Sequence, residues 1–123
     1  MSAADSFDSP DWQVICLCAD WCGTCREFGP QLQEAAAAHP AVRFSWVDIE
    51  DEADTVGDVD IETFPTLLIG HAGQARFLGP VLPHVAQIGR LLASLRDDPR
   101  AAAVSPEAHD LLARLNAAKL EPI

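Results

Sequence analysis

Val14-Ile15-Cys16-Leu17-Cys18 is apolar at every position. A strand with one wet face alternates polar and apolar residues, so an unbroken run predicts a central strand covered on both faces. Residues 19–23 read as a turn. From about residue 24 to residue 38, Phe28, Leu32, Ala35 and Ala36 recur at three- and four-residue spacing, which predicts a helix with one buried stripe. Pro30 falls inside it and predicts a kink, because proline supplies no amide hydrogen and crowds the preceding turn. Val42-Arg43-Phe44-Ser45-Trp46-Val47 alternates as a second strand ending at Asp48. Thr66-Leu67-Leu68-Ile69 predicts a third strand, turned at Ala72-Gly73 into a fourth over residues 75–78, and the pair reads as a hairpin. Gly79-Pro80 predicts the end of that strand, and Val85, Ile88, Leu91, Leu92 and Leu95 mark another amphipathic helix. This order of elements predicts an α/β fold, a mixed central sheet flanked by helices on both faces.

The ends of the chain read differently. Residues 1–11 form a polar, loose leader, residues 12–96 the domain, and residues 97–123 a linker and one further helix. Ser105-Pro106-Glu107 is a helix start: a capping hydroxyl, a proline at the first helical position and an acid in the first turn. Ala108, Leu111, Leu112, Leu115 and Ala118 then make one apolar stripe, which needs a sheet face or a second copy of the chain to cover it.

Composition narrows the function classes. With 123 residues, 49 % of them apolar and 22 % charged, the chain has the make-up of one globular domain. A formal net charge of −11 argues against nucleic acid and anionic membrane as partners, since both repel such a surface. No apolar run reaches bilayer-spanning length, and the first residues carry acid where a secretory signal carries base. The expected compartment is the cytosol, where structural disulfides seldom persist. Four cysteines in that setting read as catalytic, redox-sensing, metal-binding or buried. The acidic stretch between Asp48 and Glu62 lacks the glycine and spacing of a calcium loop and reads as a solvated face holding one short helix. His39, His71, His84 and His109 show no ligand spacing and receive no role.

Trp21-Cys22-Gly23-Thr24-Cys25-Arg26 lies between the buried strand and the first helix. A cysteine at a helix N-terminus meets unpaired backbone amides and the positive end of the helix dipole, which stabilise a thiolate. Cys25, three residues on, is placed to close a disulfide with it. The chemistry this predicts is attack by Cys22 on a substrate disulfide and resolution of the mixed disulfide by Cys25. A tetrahedral zinc site needs Cys16, Cys18, Cys22 and Cys25 to converge, an awkward geometry for two cysteines on one strand and two on the next helix turn. Cys16 and Cys18 read as buried hydrophobes. A bond between them is disfavoured, because alternate strand residues stand about 6.6 Å apart with parallel side chains.

Ala19-Asp20-Trp21-Cys22-Gly23-Thr24-Cys25-Arg26 resembles the active-site segment of the thioredoxin family, and Phe64-Pro65-Thr66-Leu67 resembles that family's cis-proline loop. Pro30, five residues after Cys25, matches the proline of the family's active-site helix, and residues 70–73 resemble its hairpin turn. Motif order and spacing agree over roughly residues 12–95. The resemblance implies a thioredoxin-like fold with a shortened N-terminus and an added C-terminal helix, and a redox-active disulfide between Cys22 and Cys25. It places Trp21, Gly23, Thr24, Phe64 and Pro65 on the surface that takes the substrate, with Phe64-Pro65 cis and its backbone offered to an extended strand. It implies protein disulfides as substrates, a thioredoxin reductase or small thiol as electron donor, and no metal or cofactor of the chain's own. There are departures. Gly-Thr stands between the cysteines in place of Gly-Pro, Cys16 stands where the family carries a buried aspartate, Cys18 where it often has an aromatic residue, and Trp46 where it has a lysine. The expected function is a thiol–disulfide oxidoreductase that reduces protein disulfides. The rival is a thioredoxin-fold adaptor or chaperone that holds one partner with little redox turnover.

Overall fold

A computed structural model describes residues 12–18, 23–39, 42–49, 53–56, 66–71, 74–80, 85–97 and 106–117, with backbone alone at residues 24, 25, 53, 56, 85, 96 and 97. Strand β1 spans Trp12–Cys18, helix α1 Gly23–Ala38, β2 Arg43–Asp48, the short α2 Ala53–Val56, β3 Thr66–His71, β4 Gln74–Pro80, α3 Val85–Asp97 and α4 Pro106–Ala117. The four strands form one mixed sheet in the order β2-β1-β3-β4. β1 pairs parallel with β2 across the α1 connection and antiparallel with β3, and β3 pairs antiparallel with β4.

All seven residues of β1 are buried, because the strand lies in the middle of the sheet and both faces are covered. Trp12, Val14, Cys16 and Cys18 project into one apolar layer with Phe28, Leu32 and Ala35 of α1 and Ile88, Leu92 and Leu95 of α3. Ile15 and Leu17 project into the other, with Val47, Leu68, Ala75 and the α4 residues Ala108, Leu111, Leu112 and Leu115. This is the two-residue periodicity of a strand dividing one apolar run between two cores. The helix expected from the Ser105-Pro106-Glu107 start begins at Pro106, carries Glu107 in its first turn and Arg114 in its last, and so complements its own dipole. Ser105 and Ala118 lie outside the described residues, as do the leader and the linker at residues 98–105.

Polar contacts fix α4 on its face of the sheet. Gln13, buried in β1, donates from Nε2 to Asn116 Oδ1 at 2.9 Å and accepts at Oε1 from Asn116 Nδ2 at 3.1 Å. The backbone amide of Ala75 donates to His109 Nδ1 at 3.1 Å, and Arg114 Nε donates to the Thr55 carbonyl at 2.8 Å. Gly70 makes the approach possible: a Cβ there would lie 2.7 Å from Leu112 Cδ2, closer than van der Waals contact allows. His109 and His71 therefore have packing roles that their spacing does not reveal. The His71 ring stacks on Trp12 with centroids 4.4 Å apart, across a β1–β3 register pair.

Several boundaries differ from the sequence reading, among them the ends of β3 at His71 and of β4 at Pro80. β1 begins at Trp12 and α1 at Gly23, each slightly earlier than predicted. β4 runs through Gly79 and Pro80 where a break was predicted. It is an edge strand, and an edge tolerates a residue with no amide hydrogen. Pro30 lies inside a continuous 16-residue α1. Among the described residues, no helix is long and apolar enough to cross a membrane.

Leu112→Ala is expected to destabilise the domain by about 2–5 kcal/mol, since it opens a cavity against the Gly70 backbone. Urea unfolding followed by circular dichroism measures it. A change below the error of that measurement would show that α4 is not part of the folded core.

Candidate functional site

Strand β1 ends at Cys18 and helix α1 starts at Gly23, so Cys22 is the residue immediately before the first helical position and Cys25 the third residue of the helix. The first helical turn contains no acidic residue to oppose an anion there. Unpaired amides and the helix dipole at this end favour a thiolate. The side chains of Cys22, Cys25 and Thr24 lie outside those described, as do Trp21, Phe64 and Pro65, and so does the expected Cys22–Cys25 disulfide. Gly23 is exposed and has open space around its Cα.

The sheet sets where the predicted site segments attach. Leu17 pairs with Thr66, so the chain leaves β1 toward the cysteine motif at the same end of the sheet at which it enters β3, one residue after Pro65. β2 ends beside them, with Asp48 opposite Cys18. The Ile49 amide donates to the Cys18 carbonyl at 2.9 Å, which pins this end of β1 in place.

Beneath that end lie two more sulfurs. Cys16 and Cys18, two residues apart on β1, share the face covered by α1, and their Sγ atoms are 3.5 Å apart. Both are fully buried. Cys16 is a free thiol. Cys18 is disulfide-bonded, which corrects its reading as a plain buried hydrophobe; its parity puts it on the face that meets the motif helix, a signal the strand pattern already contained. A disulfide sulfur carries no hydrogen, so in the Cys16–Cys18 contact the Cys16 thiol is the donor. The Cys16–Cys18 bond that strand geometry disfavours is not formed. Burial pushes the Cys16 thiol from an ordinary 9.0 up to about 12, because the surrounding apolar side chains penalise a thiolate. Trp46, half-buried, packs against the same layer.

The thioredoxin family profile matches residues 6–81, a segment that holds both the cysteine motif and the Phe64-Pro65 pair. The chain belongs to the thioredoxin family. Among its relatives, "Putative thioredoxin 2" of Streptomyces coelicolor is 36% identical over 77 residues, covering 62% of this chain and 58% of that protein. "Thioredoxin-3, mitochondrial" of Saccharomyces cerevisiae is 34% identical over 64 residues, covering 52% of this chain and 50% of the relative. The chain thus spans about half the length of these relatives. The crystal structure of that yeast thioredoxin in its oxidized form has a TM-score of 0.61 at 25% identity, covering 74% of this chain and 85% of the other. Thioredoxin from Trypanosoma brucei brucei shares the fold, with a TM-score of 0.63 at 20% identity over 77% of this chain and 83% of that one. Helix α4 lies beyond the residues matched to the thioredoxin profile.

The raised Cys16 pKa has a thermodynamic consequence. Below about pH 9 the thiol is protonated whether the chain is folded or not. Between about 9 and about 12 the unfolded state ionises and the folded state does not, so stability falls as pH rises, by about 1.4 kcal/mol per pH unit from this group. Cys16→Ala is therefore expected to lose stability less steeply than the wild type across that window. Parallel curves in paired urea titrations would show that Cys16 carries no such linkage.

Proposed function

We propose that this protein is a cytosolic thiol–disulfide oxidoreductase that reduces disulfides in client proteins. What carries the reading is the Cys-Gly-Thr-Cys motif at the start of α1, directly after a strand buried on both faces, inside the segment matched to the thioredoxin family. The Cys22 thiolate attacks one sulfur of a client disulfide, the other client sulfur leaves as a thiolate and takes a proton, and a mixed disulfide remains. The Cys25 thiolate then attacks Cys22 Sγ, which releases the second client thiol and leaves Cys22–Cys25 oxidised. Two electrons have passed to the client, and a thioredoxin reductase or a small thiol restores the dithiol. Trp21, Gly23, Thr24 and the Phe64-Pro65 backbone take the client strand around the reacting sulfur. The family's membership and the shared fold support this division of labour, and the net charge of −11 favours clients with neutral or basic surfaces.

Reduction of insulin disulfides, driven by NADPH and a thioredoxin reductase or by dithiothreitol, tests the reading. Wild type is expected to accelerate it, and Cys22→Ser to fall to the uncatalysed rate. Cys25→Ser should accumulate mixed disulfides with clients, whereas Cys22→Ser should trap none. Iodoacetamide at neutral pH should label Cys22 first. A wild type with no rate above background under either electron source would favour the adaptor reading.

A further inference from the structure

Helix α4 packs against β4, β3 and α2. Three of its side chains anchor it by hydrogen bonds: His109 to the Ala75 amide, Arg114 to the Thr55 carbonyl and Asn116 to Gln13. Arg114 and Asn116 stand in the last turn of the helix, and His109 closes the first. Arginine stays charged and asparagine stays neutral across the physiological range, whereas histidine changes charge between about pH 5 and 8. We propose that His109 is a proton-sensitive clasp, which holds the first half of α4 against β4 when neutral and releases it on taking up a proton. The inference stands apart from the redox reading.

The geometry fixes the protonation state of the clasped form. A backbone N–H can only donate, so His109 Nδ1, 3.1 Å from the Ala75 nitrogen, presents its lone pair and the ring hydrogen sits on Nε2. A proton on Nδ1 sets two donors face to face, and the bond is lost. Ala75 is buried in the layer that includes Ala108 and Leu111, where an amide without a partner is costly. His109 itself is exposed, so water can deliver the proton.

The surrounding charges give the direction of the linkage. Glu107 and Asp110 flank His109 on α4 and favour the cation, and the positive end of the helix dipole opposes it. These travel with the helix and act on docked and released α4 alike. The Ala75 amide and the charge of Arg76, the next residue on β4, act on the ring only when α4 is docked, and both oppose the cation. Asp54 lies on α2, which α4 meets through Arg114 in its last turn. His71, at the end of β3, stacks on Trp12 in the layer beneath α1, on the other face of the sheet. Protonation therefore favours release, and release begins at the first turn while Arg114 and Asn116 still hold the last.

Imidazole nitrogen spectra and amide hydrogen exchange of the full-length protein test the clasp. At about pH 8 the His109 hydrogen is expected on Nε2. From there to about pH 5.5, protection of the Ala75 amide, corrected for intrinsic exchange, is expected to fall about five- to tenfold, the loss of one hydrogen bond. In His109→Asn no proton is taken up at this position, so Ala75 protection is expected to stay constant over the same range, whatever its starting level. A hydrogen on Nδ1 at the higher pH would overturn the inference. So would wild-type protection that does not change, or a loss of the same size in wild type and His109→Asn.

Discussion

Strand β1 has a covering layer on each side, and that double burial sets the terms for the rest of the molecule. Its even-numbered side chains need one apolar layer and its odd-numbered ones another. Helices α1 and α3 supply the first and α4 the second. Each fully buried leucine or isoleucine contributes about 1.5–3 kcal/mol relative to exposure, so leaving either face bare would remove a large share of a small domain's stability. The one strongly polar side chain on the strand, Gln13, is tolerated because Asn116 of α4 satisfies its amide with a reciprocal pair of hydrogen bonds. Helix α4 thus acts as a structural layer, although it lies outside the segment shared with the thioredoxin family.

The same parity governs the chemistry. Because Cys16 and Cys18 occupy even positions, both sulfurs enter the layer beneath α1, away from α4. Shifting the strand register by one residue would carry them to the other face, far from the helix of the Cys-Gly-Thr-Cys motif. Register pairs Leu17 with Thr66 and Cys18 with Asp48, so the strand that holds the sulfurs, the end of β2 and the start of β3 are tied at one edge. The fold therefore brings the chain segments that carry the thiols to one place before any sulfur reacts.

Much of this was legible in the sequence. The unbroken run from Val14 to Cys18 announced a strand covered twice, and the leucine stripe of α4 announced a helix in need of a face. Pro80 was misleading because proline breaks an interior strand but not an edge, and edge position is a property of the sheet that no local window contains. His109 and Gln13 were silent for a related reason: their partners, Ala75 and Asn116, are distant in sequence. Cys18 reads as a plain hydrophobe because alternation gives the face a side chain enters and says nothing of its bonding.

Cys16 shows how the core and the redox chemistry constrain one another. It stands where resemblance to the family leads one to expect a buried carboxylate, yet its layer is built from Val14, Phe28, Leu32, Leu67 and their neighbours. An ionised carboxylate in such surroundings would need a partner to offset its desolvation, and Trp46 stands where the family has a lysine. A thiol avoids that cost by staying neutral, and burial holds it so, with its pKa pushed up to about 12. The consequence is one-sided. At neutral pH Cys16 can donate a hydrogen bond, as it does toward Cys18, but it cannot accept the proton that a resolving cysteine must lose. In the proposed exchange that proton leaves toward water or the departing client thiolate. The buried group at this position is therefore a neutral donor rather than a base.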